Sequence, residues 1–355
     1  MKSQNSIVFL VPGFPENEKD TTCIPALQLY VKHFNSVNQY LNIIVIAFQY
    51  PYKKKEYFWN GIKVYSAGGK GKGKILRVIT WIRVITYFIK VKGKNNVAGI
   101  HSFWLTECSL VGQLLSKLVN LPHITTIMGQ DVKKSNKYLQ HLNFSKITIT
   151  SVSKFASDIF ERSIHRKVNT IIPFGIEKTK DNNSANQNRS IDIIGVGSLI
   201  PLKNYNLFID IISEVVQDFP SLKVILIGDG DQRSEIEKSI VKKNLSTNIL
   251  LTGKIPRDEV LHYMMQSKIF LHTSAYESQG LVFLEALYCG LFVVSFDTGY
   301  IPNSKRISLC RYKNEMVNEI KHLLRSEKKY EPEVFLTIED TAKKFNELYL
   351  KLGIA

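Results

Sequence analysis

Two glutamates, Glu277 and Glu285, have a residue type and a spacing that could do chemistry. Glu285 lies in a predicted helix that is otherwise apolar, where a carboxylate costs several kcal/mol unless it is paired or bonded to ligand hydroxyls. Its two oxygens match the two adjacent hydroxyls of a ribose. Gly280 lets a ligand approach the backbone, and the N–H groups of Gly280 and Leu281 can donate to phosphate oxygens. The pattern indicates a nucleotide site; the alternative is a capping acid followed by an internally bridged glutamate.

A second candidate position is residues 196–204, where a predicted strand ends at Gly197 and Lys203 precedes the next helix. A lysine at this place is a flexible point charge suited to a diphosphate, and the N–H groups of the helix start add donors. The alternative is a tight turn at Gly197 and a solvated Lys203.

The elements that must position these residues are strands alternating with helices of about 10 to 15 residues, which is typical of parallel βαβ units with both sheet faces covered. The polar, asparagine-rich residues 177–190 interrupt the alternation, and the same pattern then starts again. We therefore predict two doubly wound α/β halves. In open parallel sheets ligands bind beyond the carboxyl ends of the strands, where both candidate positions fall.

These motifs resemble those of the retaining glycosyltransferases of family 4, which have the two-Rossmann GT-B fold. The resemblance is specific in the C-terminal half and looser in the N-terminal half. In the C-terminal half it rests on Glu277-x7-Glu285 with Gly280-Leu281, residues 197–203, Gly228-Asp229-Gly230 and Gly253-Lys254. In the N-terminal half it rests on Phe14-Pro15-x5-Thr21-Thr22, Ile100-His101-Ser102, Gly129-Gln130-Asp131 and the crossover at residues 172–176.

The resemblance implies two Rossmann-like doubly wound domains that face each other across a cleft. Residues 1–173 would form an acceptor-binding domain and residues 174–336 a nucleotide-sugar donor-binding domain. Residues 337–355 would form a C-terminal helix that packs back on the N-terminal domain.

It also implies roles for single residues. Glu285 would hold the donor ribose, Glu277 a hydroxyl of the donor sugar, and Lys203 the diphosphate. The further donor-binding residues would be Gly280, Leu281, Gly197, Ser198, Gly228 and Lys254, the last beside the base. The catalytic set would be Glu277, Lys203 and Asp131, and the acceptor side of the cleft would hold Thr21, Thr22, His101 and Gly129.

Two departures from the family pattern matter. Ser198 stands where the family usually has an arginine, so one diphosphate cation is missing. Met128 stands where many members have a histidine, which leaves Asp131 as the most plausible acid of the N-terminal domain near the reacting centre. The alternative for Asp131 is a helix N-cap.

The implied reaction moves a sugar, with retention at the anomeric carbon, from a UDP- or GDP-sugar to a hydroxyl of a glycan or lipid-linked acceptor in cell-surface polysaccharide or glycolipid biosynthesis. No side chain stands out as a nucleophile, which suits a front-face route in which the leaving phosphate takes the acceptor proton. We expect no cofactor and no metal, on the interpretation that the sequence has neither an Asp-x-Asp triplet nor a cluster of His and Cys ligands. The alternatives are a GT-B sugar-nucleotide epimerase and a catalytically weakened homologue that binds a partner.

The formal net charge of +16 is uneven, because residues 51–100 hold 12 Lys and Arg against the single acid Glu56. Within this block, residues 74–92 predict a helix with an apolar stripe at Ile75, Val78, Ile79, Ile82, Ile85 and Ile89, flanked by cationic side chains. Such a helix could lie on an anionic membrane surface through residues 70–94. The alternative is a helix packed on its own sheet. We expect no nucleic-acid binding, because the block holds no recognisable motif.

The four scattered cysteines favour a reducing compartment. The first apolar run is too short for a signal peptide, and no stretch has the roughly 18 uncharged apolar residues of a spanning helix. We therefore expect a cytoplasmic protein, with peripheral attachment to the inner face of the plasma membrane as a further expectation.

Overall fold

The computed structural model describes residues 4–69, 73–178 and 189–355. The chain divides into two compact units. Unit 1 comprises residues 1–177 together with 337–355, and unit 2 comprises residues 178–336. Residues 70–72 of the predicted basic segment and residues 179–188 of the predicted polar linker lie outside the described residues.

Unit 1 is built on an eight-stranded sheet in the order β3-β4-β2-β1-β5-β6-β7-β8, in which only the β3–β4 pair is antiparallel. Its central strand β1 runs apolar from Ile7 to Val11 and is fully buried, as a strand covered on both faces must be. The strands are β1 (Asn5–Gly13), β2 (Leu41–Tyr50), β3 (Lys55–Trp59), β4 (Ile62–Ser66), β5 (Asn96–Phe103), β6 (His123–Ile127), β7 (Thr148–Ser151) and β8 (Thr170–Ile171).

The helices of unit 1 cover both faces of this sheet. They are α1 (Pro25–Val37), α2 (Lys74–Lys92), α3 (Glu107–Val119), α4 (Lys154–Ile164) and, from the end of the chain, α10 (Ile338–Lys351). Helix α10 begins with a capping box between Thr337 and Asp340. Its Phe345 and Tyr349 are fully buried in the same core as Tyr30 of α1. The last helix is therefore an integral part of unit 1.

Unit 2 is a six-stranded, entirely parallel sheet in the order β11-β10-β9-β12-β13-β14. Its elements are β9 (Ile191–Val196), α5 (Tyr205–Val215), β10 (Val224–Ile227), α6 (Arg233–Lys242), β11 (Ile249–Gly253), α7 (Arg257–Met265), β12 (Ser267–His272), α8 (Leu281–Tyr288), β13 (Phe292–Phe296), β14 (Ile307–Cys310) and α9 (Lys313–Arg325). The strand order reverses direction between β9 and β12. In such sheets a crevice for ligands opens at this switch point.

The predicted doubly wound α/β class is confirmed in both units, and five elements were missed by sequence reasoning: β3, β4, β8, β14 and α9. The hairpin β3–β4 lies inside the basic block and turns at Asn60 and Gly61, both of which have positive φ. An Asn-Gly pair is a strong hairpin signal. This pair lies among many lysines, which indicated a charged surface and not a hairpin.

Helix α2 packs on the sheet through Val84, Tyr87, Phe88 and Val91, together with Thr80. The predicted apolar stripe lies on its opposite side and is largely exposed, from 39% at Ile79 to 79% at Ile75, with Ile85 half-buried. None of the helices in the described part of the chain has the length and apolar character of a membrane span. The apolar side chains that α2 exposes are called the α2 stripe below: Ile75, Leu76, Val78, Ile79, Ile82 and Ile89.

Candidate active site

Two glycines, Gly197 and Gly228, are in close contact at the carboxyl edge of the unit 2 sheet. Gly228, at the end of β10, has φ +151°, and a Cβ atom built there would lie 1.9 Å from the carbonyl oxygen of Gly197 at the end of β9. Only glycine fits this approach. Ser198 next to Gly197 is exposed, as is Lys254 after β11.

The loops that follow β9 and β12 are joined across the switch point. The Thr273 hydroxyl donates to the carbonyl of Lys203 over 3.0 Å, and the Ala275 N–H donates to the carbonyl of Leu202 over 3.0 Å. These bonds fix the backbone of the two predicted motifs side by side, although about 70 residues separate them in sequence.

Three charged or ionisable side chains meet at this point: Lys203, Glu277 and His272. The Lys203 ammonium and the Nε2 of His272 both contact Oε1 of Glu277, the histidine at 3.0 Å. Burial alone would raise the pKa of Glu277, but the hydrogen bond from His272 and the positive charge of Lys203 outweigh it and lower this pKa to about 2. Glu277 is therefore a carboxylate at neutral pH, beside a fixed cation.

His272 was missed by sequence reasoning. It is the last residue of β12 and is 3% exposed. Its Nδ1 lies 3.2 Å from the Ser295 hydroxyl and its Nε2 lies 2.9 Å from the Ser274 hydroxyl. Burial lowers the pKa of His272 despite the neighbouring Glu277, so the ring is neutral and holds the carboxylate by hydrogen bonding. Its place at the end of an apolar strand, just before a polar loop, is the signal that could have found it.

Glu285 has a partner that the sequence did not reveal. Its carboxylate pairs with the Arg257 guanidinium at 2.6 Å, and both side chains are about nine-tenths hidden, with 13% and 14% exposed. Arg257 is the first residue of α7, which follows β11. Glu285 is therefore an internally bridged glutamate, which was the alternative to a ligand-binding carboxylate. It lies at the same sheet edge as Lys203.

Gly280 forms the N-terminal boundary of α8 in the left-handed conformation, with φ +73°. A Cβ atom there would lie 2.7 Å from the Phe283 ring. The helix begins at Leu281, so its first N–H groups have no partner within the helix. Gly280 follows Glu277 by three residues, and a Cβ atom built at Gly280 would lie 3.8 Å from the Cβ of Glu277, so the helix start can receive an anion beside that carboxylate.

The structure does not place the unit 1 residues in a comparable site. His101, expected on the acceptor side of a cleft, is fully buried in β5. Its Nδ1 lies 2.8 Å from the Tyr349 hydroxyl and its Nε2 lies 2.7 Å from the Thr126 hydroxyl. Burial holds its pKa well below the usual range. That expectation is wrong for this structure, since His101 is a neutral core residue.

The carboxylate of Asp131 is also engaged in hydrogen bonds within unit 1. Its carboxylate accepts backbone N–H groups of Leu105 at 2.8 Å and Gly129 at 2.6 Å. Burial raises its pKa in spite of these bonds. It lies inside a short 3-10 helix, so the N-cap alternative is wrong as well. Gly129, with φ −167°, donates its N–H to Asp131.

Thr21 and Thr22 are half-buried in the segment before α1. The Thr22 hydroxyl donates to Asp20 at 3.0 Å, and the same carboxylate accepts the Tyr50 hydroxyl at 2.8 Å. These bonds shape the loop after β1.

Asp229 and Asp231 form an Asp-x-Asp triplet, a spacing of oxygen ligands, so the first of the two reasons for expecting no metal is wrong. Asp229 accepts the N–H of Gly230 at 2.8 Å and lies 3.6 Å from the Arg233 guanidinium. Across the ranges that the structure describes, no group of three or more His, Cys, Asp or Glu side chains is arranged to hold a metal ion.

The site therefore belongs to the nucleotide-binding class of parallel α/β sheets, and comparison with known proteins agrees. Residues 176–306 match the family described as Glycosyl transferases group 1. These residues lie mostly in unit 2, and over them the chain is similar to the glycosyl transferases group 1.

Two relatives illustrate the similarity. An uncharacterized glycosyltransferase of Methanocaldococcus jannaschii is 29% identical over 230 residues, 61% of this chain and 63% of that protein. The poly(ribitol-phosphate) alpha-N-acetylglucosaminyltransferase of Staphylococcus aureus is 30% identical over 174 residues, 48% of this chain and 34% of that protein. The chain thus spans less than two thirds of the length of either relative.

Solved structures establish the fold over the whole chain. Sucrose-phosphate synthase from Thermosynechococcus elongatus aligns with a TM-score of 0.73 at 16% identity and covers 99% of both chains. HepE from Anabaena, solved with UDP and glucose, aligns with a TM-score of 0.67 at 16% identity over 98% of this chain and 96% of that chain. The two parallel sheets are therefore those of a GT-B fold.

Proposed function

We propose that this protein is a retaining glycosyltransferase that moves a sugar from a UDP- or GDP-sugar to a hydroxyl of a glycan or lipid-linked acceptor. One observation carries the proposal. Lys203, Glu277 and the start of α8 come together at the carboxyl edge of unit 2, beside the paired Glu285. This edge offers a cation and backbone donors for a diphosphate and carboxylates for sugar hydroxyls.

Each part has a role in the proposed reaction. Lys203 and the N–H groups of Gly280 and Leu281 stabilise the negative charge that develops on the departing diphosphate. Glu277, held by His272, accepts a hydroxyl of the donor sugar. Glu285 accepts the ribose hydroxyls, and Arg257 keeps its charge balanced when the site is empty.

The same geometry fits a front-face displacement. As the bond between the anomeric carbon and the phosphate oxygen breaks, the acceptor oxygen attacks from the same face. The acceptor proton passes to the leaving phosphate, so no basic side chain is required. The contribution of the protein is then electrostatic stabilisation and positioning.

The division of labour between the domains is also part of the proposal. The C-terminal domain, residues 174–336, binds the donor, because it holds the charged sheet edge. The N-terminal domain, residues 1–173 with the helix of residues 337–355, binds the acceptor. The complex of HepE with UDP supports UDP as the first donor nucleotide to test.

The proposed acceptor side extends to an anionic membrane surface. The α2 stripe exposes six large apolar side chains, of which Ile75 is 79% and Ile89 64% exposed. Arg83 and Lys90 flank it on the same helix. An apolar stripe bordered by cations fits the interface of a bilayer with anionic lipid.

Flotation with liposomes tests this attachment. We expect the protein to float with vesicles containing phosphatidylserine and less with vesicles of phosphatidylcholine alone. Ile82→Glu should abolish flotation, because it places a charge in the centre of the stripe. Val241→Glu, at an apolar residue of α6 that is 66% exposed, is the matched control. Equal flotation of both variants would reject the attachment.

The transfer reaction is tested by measuring donor hydrolysis and sugar transfer over a panel of nucleotide-sugars and acceptors. Lys203→Ala and Glu277→Gln should each lower the rate about 100-fold, as the loss of one group stabilising the transition state does. Lys243→Ala is the matched control, because Lys243 forms an ion pair with Asp210 elsewhere in unit 2. Unchanged rates in Lys203→Ala and Glu277→Gln would reject the assignment.

Ser198 and Met128 favour one second candidate, a weakened homologue that binds the donor without turning it over. Ser198 is exposed beside Gly197 and supplies no cation there. Donor binding that depends on Lys203, with no transfer over the whole acceptor panel, would identify this case.

A further inference from the structure

Unit 1 contains a pocket of about 620 Å³ that the proposed roles do not use. It lies where three segments follow three strands of the sheet: the first turns of α2 after β4, the first turn of α3 after β5, and the chain after β6. This is the carboxyl side of the sheet, where parallel α/β sheets bind ligands. Its principal lining residues are Arg77, Trp81, Leu110, Lys137, Tyr138 and His141.

The lining is cationic. Arg77 and Lys137 carry positive charge, and the lining residues, which all belong to the described part of the chain, include no Asp or Glu. The nearby carboxylate is that of Glu107, which is 7% exposed and sits behind the lining. Its two oxygens are already used, one by the Gln49 amide and one by the Trp81 indole N–H at 2.8 Å. The charge presented to a ligand is therefore positive.

Trp81 and Tyr138 add aromatic surface to the same pocket. The bond from the indole N–H to Glu107 fixes the orientation of the Trp81 ring. Burial and then the charge of Glu107 raise the pKa of Tyr138, and the charge of Arg77 lowers it. A fixed ring beside two cations suits a ligand with both an anionic group and a hydrophobic or sugar face.

The position of the pocket next to the α2 stripe indicates that the ligand also has an apolar part. Arg77 and Trp81 are one turn apart on the flank of α2, and their neighbours in sequence, Val78 and Ile82, belong to the α2 stripe. A molecule bound through an anionic group at Arg77 thus has a large exposed apolar surface directly next to it.

We propose that this pocket binds the phosphate-bearing head group of a lipid-linked acceptor, whose hydrocarbon chain lies along the α2 stripe. The proposal rests on the glycosyltransferase function above and narrows its acceptor to a phospholipid-like molecule. Arg77 and Lys137 contact the phosphate, Trp81 packs on the adjoining part of the head group, and the bilayer holds the chain.

Calorimetric titration of the full-length protein with dihexanoyl phosphatidic acid, below its micelle concentration, tests the pocket. We expect Arg77→Ala and Lys137→Ala each to raise the Kd about tenfold, since each removes one charge-assisted contact to phosphate. Arg77→Lys should recover part of the loss. Lys134→Ala is the matched control, because Lys134 is an exposed lysine of the same segment and does not line the pocket.

Two further probes separate the sources of phosphate and the kinds of lipid. Inorganic phosphate should bind at least tenfold more weakly than the phosphatidic acid, and dihexanoyl phosphatidylcholine should bind more weakly as well. Equal affinity for inorganic phosphate and the phosphatidic acid would overturn the lipid acceptor. An equal loss in Lys134→Ala would overturn the pocket, since it would show general attraction of the anionic lipid to the basic surface.

The donor reaction is measured on the same samples. UDP-glucose hydrolysis should fall in Lys203→Ala and stay unchanged in the control Lys134→Ala. If no nucleotide-sugar reacts while Arg77 still governs the binding of phosphatidic acid, the transferase function fails and the pocket stands. If the donor reaction holds while Arg77→Ala binds phosphatidic acid normally, the pocket fails alone.

Discussion

His101 of unit 1 and His272 of unit 2 are both buried, both follow apolar strand residues and both have a lowered pKa. They differ in where they lie along the strand. His101 lies within β5 and bonds to the neutral hydroxyls of Tyr349 and Thr126. His272 ends β12 and bonds to the carboxylate of Glu277, which also contacts Lys203.

The difference extends to the two units as a whole. Unit 1 uses its buried polar groups inside the sheet, in a hydrogen-bonded chain from Tyr30 through Tyr349, His101 and Thr126 to Thr150. Unit 2 concentrates charged groups at the ends of its strands. A buried polar residue therefore stabilises the fold when its partners are neutral and internal, and becomes a candidate for chemistry when they are charged and lie at the sheet edge.

The largest effect that sharpens this comparison is the acid sensitivity of unit 1. Burial lowers the pKa of His123 from about 6.5 to about 3. The folded state therefore requires the neutral ring. Its contribution to the free energy of unfolding is complete above pH 6.5 and is lost, at up to about 1.4 kcal/mol per pH unit, as the pH falls toward 3.

Thermal unfolding between pH 7 and 4 measures this loss, and hydrogen exchange of the β6 amides assigns it to unit 1. His123→Gln should reduce the slope in this window because it removes one titrating group, and the remaining slope comes in part from buried His101, whose pKa is also lowered by burial. His262→Gln, at a histidine of α7 in unit 2, is the control. The same slope in the wild type and His123→Gln would show that His123 does not govern the acid loss.

A glycine in each unit provides the next test. Gly228→Ala should destabilise unit 2 by about 3 kcal/mol, because the new Cβ would overlap the Gly197 carbonyl. Gly129→Ala should change the free energy of unfolding little, because the nearest atom to a Cβ built at Gly129, the indole nitrogen of Trp104, would lie 3.8 Å away. Chemical denaturation measures both. Equal losses would mean that the edge of unit 2 is no more tightly constrained than that of unit 1.

Asp131→Asn gives the smallest expected effect and addresses function directly. Replacing the carboxylate weakens its bonds from the N–H groups of Leu105 and Gly129, which should cost about 2 kcal/mol of unfolding free energy. The affinity for UDP-glucose should not change. A variant of full stability whose transfer rate falls 100-fold would restore Asp131 to the catalytic residues and break the contrast between the units.

The sequence was sufficient to predict the α/β class and the edge of unit 2, because Glu277, Glu285 and Lys203 stand at fixed distances from apolar strands. It was not sufficient to predict their partners. Arg257 precedes Glu285 by 28 residues and meets it only because β11 and β12 end at the same edge.

The partners of the unit 1 residues could not be predicted for a different reason. A polar residue after a strand looks the same in sequence whether it faces a ligand or backbone amides. Only the structure shows that the amides of Leu105 and Gly129 converge on Asp131, and that Tyr349, 248 residues away, reaches His101.

The inclusion of α10 in unit 1 has a consequence for the order in which the chain matures on the ribosome. Every residue of unit 2 is synthesised before Phe345 and Tyr349, which complete the core around Tyr30. Unit 2 can therefore fold while translation continues. Unit 1 must wait with the apolar surface of α1 uncovered, and that waiting interval is when the nascent chain is most exposed to aggregation.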